Sequence, residues 1–289
     1  MIEGRRFIRH YLRSPTALIG STIFAFLFLT AWFGPWFAPH NPYDMNAFSL
    51  LDSLKPPVWM PGGSPEFILG ADEQGRCVLS TIIYGLRTSF LVGLSAVALS
   101  FFVGSVLGLL AGYYGGLINI VISRISDTML SFPAFLMTLL LLGVLKQSSY
   151  LTVILAISLV YWVRYARVMR GNVLTEKTQD YIDAARALGA SDGRIIVFHL
   201  LPNAVSTLFV IAAVDLAMVI VLESTLSFLG VGIPLTTPSL GMLIASGYQL
   251  LYMGIWWIVT FPGIVLATLV LCINMLGDWL RQELNPKLT

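Results

Sequence analysis

Long apolar runs alternate with shorter polar stretches along the chain, and the runs have the length of membrane spans. A helix needs about 20 mostly apolar residues to cross the hydrocarbon of a bilayer. The first run extends from Ala17 to about Ala38, with Trp32 and Trp36 near its far end, where amphipathic rings suit an interface. It follows Arg5, Arg6, Arg9 and Arg13, exceeds the apolar region of a secretory signal, and precedes no small-residue cleavage site. An uncleaved first span is expected. Residues 39–86, with Pro39, Pro42, Pro56, Pro57, Pro61 and Pro65, are too polar to span and form a long loop. Cys77 lies in that loop and is expected to be accessible to thiol reagents from outside.

The second span is expected from about Thr88 to Ala111. Gly93, Gly104, Gly108 and Gly112, with Ser95, Ser100 and Ser105, give it small residues of the kind that let helices approach closely in lipid. After a turn at 113–116, a third span runs from near Arg124 to near Leu145, with Pro133 inside it as a kink. Arg124 and Asp127, three residues apart, suggest a local surface ion pair of about 0.2–0.5 kcal/mol. Met129, Phe135 and Met137 read as packing. A short fourth span, Leu151 to about Val163, is expected to continue into the cytoplasm through Arg164, Arg167 and Arg170. The fifth span runs from about Asn203 to Phe228. Gly232, Pro234, Pro238 and Gly241 break the stretch after it, and Gly241 to Leu251 is long enough only for an interfacial or re-entrant helix. The sixth span runs from about Tyr252 to Leu276, with Trp256 and Trp257 at its start and a kink at Pro262; a tail with Arg281 and Lys287 closes the chain.

One polar, charged, helix-prone segment separates the fourth and fifth spans. Tyr181, Ala184, Ala185 and Leu188 fall near one helical face, and Gly189 suits the left-handed cap that ends such a helix. Ser191 can cap a second helix, and Pro202 suits the first turn of the next apolar one. Two short helices around a sharp turn, with adjacent alanines, make a knob that another surface can approach closely.

Composition fixes the class. The chain is 57% hydrophobic and 11% charged, with a mean hydropathy of +0.82, which points to a polytopic membrane protein. Of 17 Lys and Arg, all but Lys55, Arg76, Arg87 and Lys146 fall on one side of a six-span arrangement. By the positive-inside rule that side is the cytoplasm, giving N-in and C-in.

Catalysis finds no support. His10, His40 and His199 lie at a terminus and in two loops on opposite sides, so they cannot share a metal, and Cys77 and Cys272 lie far apart. No phosphate-binding loop is present, so ATP hydrolysis needs another subunit. Asp215 lies near the middle of the fifth span and Glu223 near its outer end. A charge at mid-membrane costs at least about 2.5–3.5 kcal/mol, so each acid faces a partner or a water-filled path. Asp215 can make a protonated interhelical hydrogen bond and Glu223 a contact at the membrane edge; either can instead meet a substrate amine. Asn274 in the sixth span reads as glue between helices.

Asp183-Ala184-Ala185, Gly189 and Leu201-Pro202 resemble the EAA signature of ABC importer permeases, with Asp183 in place of the usual Glu and His199 in place of a common Ile. The stretch ILGADEQGRCVLSTIIYGLRTS resembles the segment before the core spans of dipeptide and oligopeptide permeases, Cys77 standing where Asp is common. AGYYGG with Ser131-Phe132-Pro133, STLSFLGVGIP, FPG at 261–263 and NMLGDWLRQELNPKL at 274–288 come in family order. The chain is similar to the C-type inner-membrane permease of the dipeptide/oligopeptide/nickel ABC importer family. The resemblance implies an all-α type I importer fold. Residues 1–86 would hold the N-terminal segment, first span and loop, 87–277 the permease core with its coupling loop at 176–202, and 278–289 a cytoplasmic tail. It further implies a homologous B-type permease as heterodimer partner, two ATPase subunits carrying ATP and Mg, a substrate-binding protein, and no nucleic acid. The cargo would be di- or oligopeptide; nickel, glutathione or a metallophore is the alternative within the family, and a secondary transporter outside it. Asp183, Ala184, Ala185, Gly189, Leu201 and Pro202 would contact the ATPases.

Overall fold

The computed structural model describes residues 10–44, 49–146, 148–234 and 236–284; Arg5, Arg6, Arg9 and Lys287 lie outside them. The first apolar run forms α1, Pro15–Phe33, capped by the Ser14 hydroxyl on the Ala17 N–H, and a 3-10 turn carries it to Trp36. The loop after it is pinned by its acidic turn. Asp72 Oδ1 accepts from the backbone N–H groups of Gln74 and Arg76, both at 2.9 Å, and Oδ2 accepts from Arg76 Nε at 2.7 Å. Gly75 makes this turn at φ +77°, where a side chain would also strike the Ser49 carbonyl.

That folded turn starts the second helix earlier than expected. α2 runs Val78–Tyr114, ten residues ahead of Thr88 and about 55 Å long. Cys77 is its N-cap residue and is 1% exposed, so it is not the accessible thiol that its place in the loop suggests. The small residues of α2 sort by neighbour. Added Cβ atoms at Gly104 and Gly108 would each fall 2.3 Å from a carbonyl oxygen, of Trp162 and Ala166 respectively. Gly93 instead meets Leu216 and Ile220, and Gly85 the backbone at Leu240. One helix is thereby threaded between three others.

The third span is broken rather than kinked. α3, Gly116–Leu130, and α4, Ala134–Leu145, meet at 97° across the Ser131-Phe132-Pro133 break. Pro133 disfavours helical geometry at Phe132 and becomes the N-cap of α4. α5, Tyr150–Glu176, is continuous well past Val163. After the knob, α8, Leu201–Phe228, forms the fifth span. A single apolar stretch reaches back through it to Asp192 by way of a π-wound segment, Ile196–Leu200. Pro202, just beyond, has no N–H to return to Phe198, and the wider turn precedes that gap. α9, Leu240–Leu250, is the expected short helix, packed on α2 and α8. α10, Trp257–Leu284, begins five residues later than Tyr252 because Gly254 at φ +81° ends the preceding 3-10 turn. It stays helical across Pro262.

Five helices are long and apolar enough to cross a membrane, and the bent α3–α4 pair makes a sixth. The main core, with Phe90, Ile157, Ile220 and Ile258, joins α2, α5, α8 and α10; a second core sits under the knob. Phe135 and Met137 pack against the first, and Met129 against Trp162, Val163 and Ala166, as their apolar character suggests.

Candidate functional site

The polar segment between the fourth and fifth spans folds as the expected knob. α6, Asp180–Ala187, ends where Gly189 adopts φ +81°, and α7, Asp192–Ile195, begins after an extended Ser191. The Ser191 hydroxyl, however, makes no capping bond. Ile182 and Ile195, both wholly buried, anchor the knob on Tyr165, Met169, Val173, Leu200 and Leu208. Above that anchor the surface is open. Leu188 is 88% exposed, and Tyr181, Ala184, Ala185, Leu188 and Gly189 share one shallow cavity with Ala190, Arg194 and His199. Asp183 points to solvent and, among the described residues, pairs with Arg186, 3.2 Å away on its own helix. Leu201 is half-buried and Pro202 exposed.

Polar bonds clamp both flanks of the knob to the spans. Tyr113, near the end of α2, donates from its hydroxyl to Asp192 at 2.5 Å, and its carbonyl accepts from Lys177 Nζ at 2.7 Å. Asn172 Nδ2 donates to the Ala204 carbonyl at 2.8 Å. The Tyr181 hydroxyl donates to Glu176 at 2.5 Å and accepts from Asn203 at 3.1 Å. Its pKa is raised above the usual phenolic value, first by desolvation and then by the Glu176 carboxylate. These bonds tie the knob to the ends of α2, α5 and α8. Sequence reasoning missed Tyr113, whose role depends on bringing 113, 177 and 192 together.

The two acids of the fifth span sit in different surroundings. Asp215 is wholly buried and its Oδ1 accepts from Arg164 Nη1 of α5. Its partner is thus a cation placed by sequence in the cytoplasm, now drawn level with the middle of α8. Glu223 is also wholly buried, about 8 Å along α8 from Phe228. Hydroxyls of Ser227 at 2.8 Å, Ser89 at 3.2 Å, Ser224 at 3.3 Å and Ser239 at 3.5 Å enclose it, tying α2 and the start of α9 to α8. Asn274 is half-buried on α10. Asp127 pairs with Arg167 at 2.6 Å rather than with Arg124, because α3 lies against α5 and offers a partner across the gap. Among the described residues no group of His, Cys, Asp and Glu is placed to hold a metal.

Comparison with known proteins gives this geometry its context. The family model described as binding-protein-dependent transport system inner membrane component matches residues 104–289. A second, the N-terminal TM domain of oligopeptide transport permease C, matches residues 4–57. The dipeptide transport system permease protein DppC of Haemophilus influenzae is 37% identical over 96% of this chain and 93% of its own. The di/tripeptide transport system permease protein DppC of Pseudomonas aeruginosa is 37% identical over 98% of this chain and 92% of its own. The dipeptide transport system permease protein DppC of Escherichia coli is 37% identical over 100% and 94%. A solved structure of the MetNI methionine ABC transporter in inward-facing form superposes with a TM-score of 0.56. It is 20% identical and covers 71% of this chain and 96% of that one. At that identity the likeness speaks for the fold.

Proposed function

Because this chain belongs to the family of binding-protein-dependent transport system inner membrane components, we propose that it forms half of the path through which an ATP-driven importer moves di- and oligopeptides. The observation that carries the peptide assignment is the likeness, over nearly the whole chain, to permeases named for dipeptide and di/tripeptide transport. A homologous permease supplies the other half, and a substrate-binding protein delivers cargo from outside. Two ATPase subunits bind ATP and Mg, and this chain binds no cofactor of its own.

The knob at Asp183, Ala184, Ala185 and Gly189 docks on the ATPases, with Leu201 and Pro202 setting how it joins the fifth span. Its support is the open apolar surface around Ala184 and Leu188, set on a buried anchor. Closure of the ATPases pushes α6 and α7, and the bonds from Tyr113 to Lys177 and Asp192 carry the push into α2. Import needs two helix packings of similar energy. The broken span at Pro133 and the backbone hydrogen bond that Pro262 removes from the continuous α10 are where the bundle yields. Both termini lie in the cytoplasm, in keeping with the Lys and Arg distribution.

Reconstitution of the four-part membrane complex with its binding protein tests the reading. Labelled dipeptide should enter proteoliposomes only with ATP. Uptake of nickel, glutathione or a metallophore in its place would move the substrate within the family, and ATP-independent uptake driven by an ion gradient would sink the importer mechanism.

A further inference from the structure

Arg164 is a charged group that the coupling mechanism leaves unused. It lies about 21 Å along α5 from Tyr150, and Asp215 lies about 20 Å along α8 from Phe228. Two independent helices thus put the pair at one height, about 20 Å from their ends, within the roughly 30 Å that a hydrocarbon layer spans. Asp215 is wholly buried behind it, yet the Arg164 side chain is 48% exposed. Above Arg164 the exposed side of α5 is apolar, with Leu151, Leu155 and Leu159. Below it comes Arg167, paired to Asp127. A half-exposed guanidinium at this depth is costly against lipid tails and belongs beside a polar path.

The pair is also incompletely bonded. A guanidinium offers five N–H donors in a flat fork, and among the described residues Arg164 uses one, to Asp215 Oδ1. Among the described residues, Asp215 Oδ2 and the fully buried Tyr165 hydroxyl make no hydrogen bond of normal geometry. They lie beside one another, so a small shift would let Tyr165 donate to Asp215. The acid therefore has a reserve donor for the moment its arginine turns away.

We propose that Arg164 binds the carboxylate of the transported peptide, exchanging Asp215 for cargo as Tyr165 takes over the buried acid. This rests on the reading of the chain as half of a peptide path. The planar fork suits a carboxylate and offers it two parallel bonds. Asp215 and Tyr165 are positioning residues; Arg164 alone meets the cargo.

The test uses the whole complex in proteoliposomes with its binding protein loaded to saturation. The probes are a labelled dipeptide with a free carboxylate and its C-terminal amide. Wild type should move the acid at least about tenfold faster than the amide. The double variant R164Q/D215N leaves no buried charge unpaired, and in it the acid-to-amide ratio should fall to about one. Arg164→Lys, which loses the fork but keeps the charge, should lower the ratio at least about threefold, and it decides the matter should the double variant fail to assemble. A ratio near one in wild type overturns the proposal, as does a ratio unchanged in the variants. Unchanged preference with lower overall uptake would make Arg164 a contact to the neighbouring permease. A wild-type complex that imports neither probe would instead remove the peptide reading on which the proposal rests.

Discussion

Gly108 shows how much a single hydrogen can decide in this bundle. Its missing side chain is the space occupied by the Ala166 carbonyl, a backbone atom held inside α5 that cannot rotate away. Gly108→Val therefore separates two spans and should cost about 3 kcal/mol or more. The expected result is a permease that fails to pair or loses several degrees of melting temperature in detergent, read by size exclusion on heating. Gly143, around which the space is open, should tolerate Ala without that loss. The glycines of the second span were legible from their spacing as close-contact positions. Asp215 was legible too, because a carboxylate amid apolar residues needs a partner. Its partner was not, since a lone sequence does not reveal how far Arg164 reaches into the bundle. The pair makes its own prediction: Asp215→Asn strands a half-exposed arginine and should cost about 1–3 kcal/mol, whereas adding Arg164→Gln should return part of that loss. Additive losses in thermal unfolding would show that the two side chains do not interact.

At the level of the element, the knob owes its geometry to one conformation and one anchor. Gly189 at φ +81° sets the angle between α6 and α7, with open space around it, so the obstacle to a side chain there is backbone strain rather than a clash. Gly189→Val should bend the knob out of shape while the spans still insert. Ile182→Ala attacks the anchor and should cost about 2–5 kcal/mol locally. In both variants the permease should reach the membrane and pair, yet retain less ATPase on purification and respond poorly to loaded binding protein. Ala185→Leu adds bulk to the docking face and should show the same uncoupling; full ATPase retention and stimulation in all three would reduce this loop to a connector. The two-helix pattern was readable because Gly189 and Pro202 punctuate it. The continuous apolar stretch beneath was not, because Arg194 and His199 interrupt the apolar run while the helix carries on through a π-wound turn. Likewise Pro133 announced a bend, but a proline in sequence does not distinguish a kink from the 97° break that the third span contains.

For the whole molecule, the six-span plan comes from apolar run length, which hydrocarbon thickness enforces whatever the packing inside. The folded loop between the first two spans was harder to foresee, because its order comes from contacts distant in sequence: the Trp257 indole N–H donates to the Ala71 carbonyl at 3.3 Å. That loop bears on how orientation can be measured. Cys77 and Cys272 are both buried, so neither thiol reports the side it faces, and silence from them carries no topological meaning. Exposed positions serve instead. Gln74 lies in the loop before α2, and Thr178 lies between α5 and α6, at the opposite end of the bundle. With N-in and C-in, Gln74→Cys should react with a membrane-impermeant maleimide on intact spheroplasts, and Thr178→Cys only after permeabilisation. The Lys and Arg distribution motivates this outcome, because moving so many cations across the membrane during insertion is opposed. Labelling of Thr178→Cys from outside, with Gln74→Cys protected, would invert the protein. The knob would then face away from ATP, and the coupling mechanism would fail with it.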